Sequence, residues 1–209
     1  IASPQFCGNA KSAVPAMIVA CTMHQGPLMI YFGQELGESA LDSEGYSGFD
    51  GRTSIFDYWK VVEYQKWVNN GNFSEQYLKN DQLELRNLYV RLLRMRNDFS
   101  SVLQADFYDL MYVNYNNLDA EKIYAFLRYN HDKALLVVVN FDNLNSHSFR
   151  LNIPQHAFEM MRMKSDKILN AKELIYGEIQ ISKSVSEILN SGFDLCVESN
   201  SGLILEFHI

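Results

Sequence analysis

Hydrophobic positions change their rhythm part-way along this chain. From Asn9 to Met23, Ala, Val, Met, Ile and Cys fill almost every position, which predicts a helix buried on most sides. Pro15 falls inside it and marks a kink or a late start. Gln25-Gly26-Pro27 breaks the helix. Leu28 to Phe32 is then a continuous apolar run closed by Gly33, the pattern of a strand covered on both faces. Residues 36 to 58 carry Gly37, Gly45, Gly48 and Gly51 among several acids with neither period, so a long loop is expected, and loops of that length are usually functional or disordered. Tyr58 to Asn69 and Ser74 to Leu78 predict short helical pieces divided by an Asn70-Gly71-Asn72 turn. The strongest helix opens at Asp81, an N-cap with Glu84 three residues on in a capping-box pattern. Leu85, Leu88, Tyr89, Leu92 and Phe99 share one of its faces. Arg86, Arg91, Arg94 and Arg96 occupy most of the remainder as a solvated or ion-paired face.

Near Leu103 the period shortens. Phe107–Tyr115, Ile123–Tyr129, Ala134–Phe141, Ser148–Ile153, Ile179–Ser182 and Leu203–His208 read as strands separated by turns such as Asn116-Asn117 and Asn130-His131-Asp132. One weak helix pattern lies near Phe158 to Met161. Short strands at close spacing predict an antiparallel sandwich. The boundary falls at about residue 104: residues 1–104 form an α/β part, residues 105–209 an all-β part, with no flexible linker between them.

Composition narrows the function classes. The 209 residues are 47% hydrophobic with a formal net charge of -7, which allows a core without metal or disulfide staples. Lys+Arg 18 against Asp+Glu 25, without a basic cluster, excludes a phosphate-backbone partner. The longest apolar run, Leu135 to Val139, is far short of the roughly 20 residues of a membrane helix. The N-terminus has neither an initiator Met nor the regions of a signal peptide, so the chain reads as part of something longer or processed, and no compartment is assigned. Cys7, Cys21 and Cys196 lack the spacing of a disulfide framework or a zinc site and read as buried thiols.

Gly26-Pro27-Leu28-Met29-Ile30-Tyr31-Phe32-Gly33-Gln34-Glu35 resembles the last barrel strand of glycoside hydrolase family 13, the α-amylase family, where the pattern runs roughly Gly-x-Pro-x-Ile-Tyr-Tyr-Gly-x-Glu. Ile1 to Phe6 resembles the stretch just past the family's Asn-His-Asp segment at the end of the seventh strand. Gly48-Phe49-Asp50-Gly51-Arg52, with Ile55 to Trp59 behind it, resembles the loop after strand eight. The resemblance covers the chain in order, with its specific motifs in residues 1 to 59. It implies the last part of a (β/α)8 TIM barrel in residues 1–104 (seventh helix, eighth strand, active-site loop, eighth helix). An antiparallel β-sandwich, the family's domain C, would then occupy residues 105–209.

The resemblance also implies a retaining hydrolase of starch-like α-1,4-glucans, whose two carboxyl groups stand roughly 5–5.5 Å apart. Those carboxylates lie on earlier barrel strands, so no catalytic residue is assigned here, and the missing N-terminal barrel portion is an expected partner. His131-Asp132 follows Asn130 in a hairpin turn and reads as solvated turn chemistry. What carries over is substrate contact at the barrel rim: Gln34 and Glu35 at the strand end, Asp50 and Arg52 in the loop beyond, and Phe49 as a stacking face. Asp50 and Arg52 could equally form a loop ion pair, and Glu35 could anchor the loop through backbone N–H groups. Tyr58 and Trp59 read as core packing, and His24 as a helix-end residue. No cofactor is expected in this chain. Calcium is common in the wider family, but no recognisable cluster of oxygen ligands occurs here. Alternatives are a relative such as a branching enzyme or transglycosylase, and a non-catalytic carbohydrate-binding or structural module.

Overall fold

Residues 8–39, 61–177 and 179–209 are described by the computed structural model. Their packing divides into two units, Ile1–Val14 with Pro27–Leu93 and Pro15–Gly26 with Arg94–Ile209. The apolar N-terminal segment opens with a 3-10 turn, Ala10–Ala13, where the Asn9 side chain accepts from the Lys11 N–H at 3.0 Å. Helix α1, Val14–Thr22, follows. Pro15 is its second residue, where a missing N–H costs nothing, so the late start is what occurs. Val14, Met17, Ile18, Cys21 and Thr22 are all buried.

Leu28–Phe32 departs from expectation. The segment joins no helix or ladder among the described residues, and Met29 is 80% exposed. A strand of a parallel sheet owes its hydrogen bonds and its cover to neighbours on both sides, and among the described residues no strand pairs with it.

Helix α2, Val62–Val68, ends where Asn69, Asn70 and Gly71 all take left-handed φ (42°, 55° and 91°), the turn expected from the sequence. A 3-10 turn, Glu75–Tyr77, precedes helix α3, Asn80–Asp98. Its start lies upstream of the predicted cap. The Gln82 amide oxygen accepts from the Lys79 N–H at 3.1 Å, half of a capping box shifted toward the N-terminus, while Glu84 pairs outward with Lys11 at 3.2 Å. Leu85, Leu88, Tyr89, Leu92 and Met95 form the buried face. Two of the arginines are not simply solvated. Arg86 lies over the Trp67 ring at 3.9 Å, and Arg96 donates to the carbonyls of Cys21, His24 and Gly26.

After a short helix α4, Ser100–Leu103, the chain forms strand β1, Asp106–Asp109, and the one-turn helix α5, Met111–Asn114. The expected single strand Phe107–Tyr115 breaks there because the Asp109 carboxylate accepts from the Met111 N–H at 2.9 Å and starts a helical turn. Then come β2 Ile123–Tyr129, β3 Lys133–Asn140, β4 His147–Leu151, α6 Gln155–Met160, β5 Ile168–Glu173, β6 Gln180–Ser184, α7 Val185–Ser191, β7 Phe193–Val197 and β8 Ser201–His208. A six-stranded antiparallel sheet runs β1-β2-β3-β8-β5-β6, and β4 pairs with β7 in a two-stranded sheet.

The core lies between the two sheets. Ala125, Leu127, Leu136, Val138, Leu205 and Phe207 meet Leu151, Phe193, Leu195 and Val197. Phe126, Leu135, Val137 and Ile204 point to the other face and are fully buried as well. There, a Cβ on Gly202 would come within 2.9 Å of Ile18, and Arg128 donates to the Met23, Leu103 and Ala105 carbonyls. Burial on both faces explains the unbroken run Leu135 to Val139.

Candidate functional site

The described part of the predicted rim is the turn that comes after Phe32. Gly33 and Gly37 hold left-handed φ of 79° and 74° at either end of the 3-10 turn Gln34–Leu36. A Cβ on Gly33 would sit 2.9 Å from that of Glu38, so the turn needs glycine there twice over, for its φ and for its space. Gln34 is committed inward: its Nε2 donates to the Tyr89 hydroxyl at 3.0 Å and its Oε1 accepts from the Tyr31 N–H at 3.3 Å. Glu35 is half-buried, and its Oε2 is buried without a hydrogen-bond partner among the described residues. Burial raises its carboxyl above the usual range, opposed by its own backbone N–H and by the Arg86 charge. A carboxyl with an unused, enclosed oxygen can accept a hydroxyl proton from a ligand, or hold its own proton.

The residue that anchors this turn is Glu38, which the sequence pattern does not single out. It is buried, and its two oxygens accept from the Ser39 and Glu63 N–H groups, both at 2.9 Å. Glu63 in turn accepts from Lys66 at 2.5 Å and from Gln82 Nε2 at 2.6 Å, and Gln82 also donates to the Leu36 carbonyl at 2.9 Å. The loop-anchoring role considered for Glu35 thus belongs to Glu38, three residues on. No periodic signal marks Glu38. Only its place beside Gly37 hints at a backbone-binding carboxylate.

Phe49, Asp50 and Arg52 lie outside the described residues, as do Cys7, Tyr46, Tyr58 and Trp59. Gln34 and Glu35 are adjacent, yet they face different partners. Among the described residues no three His, Cys, Asp or Glu side chains converge on a point where a metal ion could sit. Among them, too, no helix is long and apolar enough to cross a membrane. Cys21 is buried, as expected, and burial pushes its thiol up to about 12, whereas Cys196 is exposed, contrary to expectation. As the outward residue of β7, alternating with buried Leu195 and Val197, it has no cover.

Residues 114–208 match the alpha amylase C-terminal all-beta domain. This stretch belongs to the alpha-amylase C-terminal domain family. The amylase C-terminal domain runs from the end of α5 to the end of β8, which takes in seven of the eight strands described. Solved structures extend the likeness of fold along almost the whole chain. AmyP in complex with maltose is 15% identical with a TM-score of 0.63, covering 99% of this chain and 36% of its own. The alpha-amylase from Geobacillus thermoleovorans, complexed with acarbose, is 11% identical with a TM-score of 0.57, covering 96% and 34%. The maltogenic alpha-amylase AmyB from Thermotoga neapolitana is 15% identical with a TM-score of 0.56, covering 96% and 37%. The chain therefore spans about a third of the length of each of these enzymes. No curated protein matches it in sequence.

Proposed function

We propose that this chain is the C-terminal portion of an α-amylase-like retaining glycoside hydrolase acting on α-1,4-glucans. In this reading residues 1–104 close the catalytic barrel and residues 105–209 form the C-terminal sandwich. The observation that carries the reading is the amylase C-terminal domain at residues 114–208. The apolar segment Leu28–Phe32 supports it: it joins no ladder among the described residues and Met29 is 80% exposed, which agrees with a barrel strand whose neighbouring strands belong to the earlier part of the barrel.

The chemistry then divides along the chain. Two carboxyl groups on earlier barrel strands carry out the double displacement, one as nucleophile and one as acid then base. This chain supplies contacts to the sugar. Asp50 and Arg52 accept from and donate to hydroxyls in fixed directions, Phe49 offers a stacking face, and Glu35 accepts a hydroxyl proton at its unpartnered oxygen. Gln34, held by Tyr89 and by the Tyr31 N–H, fixes the turn that presents Glu35.

The test is to purify the native polypeptide with an antibody against this segment, weigh it and assay it on soluble starch. A mass well above 24.1 kDa, with first products released as the α-anomer, is the expected outcome. Products dominated by new α-linkages would point to a transglycosylase or branching enzyme. Glucan binding without cleavage would overturn the reading in favour of a carbohydrate-binding module.

A further inference from the structure

The outer face of the two-stranded sheet carries an open recess of about 710 Å³, within the roughly 300–1,000 Å³ of small-molecule sites. Asn117, Ser148, Arg150, Asn152, Asp194 and Cys196 line it, together with the apolar Phe149 and Leu195. In register, Ser148 lies opposite Cys196 and Arg150 opposite Asp194, where the guanidinium Nε meets the carboxylate at 3.1 Å. That ion pair leaves the recess without net charge and still offers N–H donors and carboxylate lone pairs. The side chains of Asn117, Ser148 and Asn152 form no hydrogen bond among the described residues. Asn152 is nevertheless fixed: its N–H donates to Asn114 Oδ1 at 2.7 Å, and its carbonyl accepts from Asn114 Nδ2 at 2.9 Å. Its amide is left over. Gly192 makes room beside it, since a Cβ there would lie 2.9 Å from Asn152 Oδ1.

A neutral recess holding two free amides, a free hydroxyl and a polarised ion pair suits a ligand dense in uncharged hydroxyls. We propose that this recess binds a linear gluco-oligosaccharide, with Asn117, Ser148 and Asn152 on its hydroxyls and the Arg150–Asp194 pair across one ring. The choice of glucan rests on the reading given under Proposed function. An anionic ligand would meet Asp194, and an apolar one would strand the amides.

Cys196 makes the test local. In the intact protein, maltoheptaose should slow alkylation of Cys196, followed by mass spectrometry of its peptide, while cellohexaose should not. N117A/N152A should remove that protection and weaken maltoheptaose binding about three- to tenfold, the loss of one or two neutral hydrogen bonds. Its hydrolysis of a short chromogenic maltotrioside should be unchanged. Since the fixed bonds of Asn152 are made by its backbone, the double variant keeps them; should it fail to fold, protection in the unaltered protein decides alone. Intact hydrolysis with Cys196 alkylated equally fast in both sugars overturns the inference. Absence of α-glucan hydrolysis overturns the functional reading instead, and protection at Cys196 still decides the recess.

Discussion

Arg96 and Cys21 are joined by a hydrogen bond of 2.5 Å, from the guanidinium Nη1 to the carbonyl in the last turn of α1, and the other nitrogen reaches the Gly26 carbonyl at 2.6 Å. The carbonyls at a helix C-terminus have no partner within the helix, and a cation there also meets the negative end of its dipole. R96A should therefore lower stability by about 2–3 kcal/mol, because charge-assisted bonds are lost and carbonyls left unmatched. R96K should recover only part of this, since an ammonium cannot span both carbonyls. Urea denaturation of the three proteins measures both effects.

Asn114 is fully buried and binds the Asn152 backbone twice, with a third contact to the Leu110 carbonyl at 2.8 Å. N114A should cost about 2–4 kcal/mol by stranding an N–H and a carbonyl. N114D keeps the acceptor but loses both donor bonds, so it should fall between. If both variants unfold at the denaturant concentration of the parent, Asn114 does not hold β4 to α5.

Asp142 sits at the start of the β3–β4 connection. The Leu144 N–H, the His147 ring at 3.0 Å and Asn145 hold its carboxyl well below the usual carboxylate range. By linkage, a depressed carboxyl stabilises the fold above its unfolded value of about 3.9, and that contribution fades as pH falls below it. The melting temperature should thus drop between about pH 4 and 2, and D142N should flatten that limb while starting lower at neutral pH. Equal slopes for the two proteins would remove Asp142 from the account.

Gly192 has φ 63° and ψ -167°, a region that is essentially glycine's alone, and a Cβ there would press to 2.7 Å on the Leu151 carbonyl oxygen. G192A should cost at least about 2 kcal/mol. Gly177 also has positive φ, at 76°, but faces open space, so G177A should cost only about 1 kcal/mol. Thermal melts of the pair separate steric from backbone cost.

Glu35 gives a prediction of opposite sign. Its carboxyl is raised by burial, so ionisation costs the fold, and E35Q should be more stable than the parent at pH 8 but not at pH 4. In the intact enzyme E35Q should raise KM for maltooligosaccharides if the free oxygen meets a sugar hydroxyl. An unchanged KM would leave it a packing residue.

Much of the second unit is legible in the sequence. The pattern places Ile123–Tyr129 to the residue, because its side chains are apolar or aromatic apart from Arg128 and an Asn-His-Asp turn follows it. Strand β5 escapes it, since its inward positions are Leu169, Ala171 and Glu173. A small residue and an acid break the apolar signal, and Glu173 is buried only because the N–H groups of Ile175, Tyr176 and Gly177 bind its carboxylate. Helix α7 escapes the apolar pattern too, although Ser184 and Glu187 spell its capping box. β7 alternates over just five residues. At the candidate site Gln34 and Glu35 are visible by motif alone. Glu38, which does the anchoring, shows its role only through contacts 25 residues away.

The second unit is also not continuous in sequence. The face of the large sheet that carries Phe126, Val137 and Ile204 is walled partly by residues 15–26, and Arg128 reaches a carbonyl 105 residues earlier. During synthesis, that wall leaves the ribosome long before the sheet exists to receive it. The early segment must wait, apolar and unsatisfied, until β8 is made, so residues 15–26 and β8 mature together and a clone beginning at residue 105 would be born with an open side.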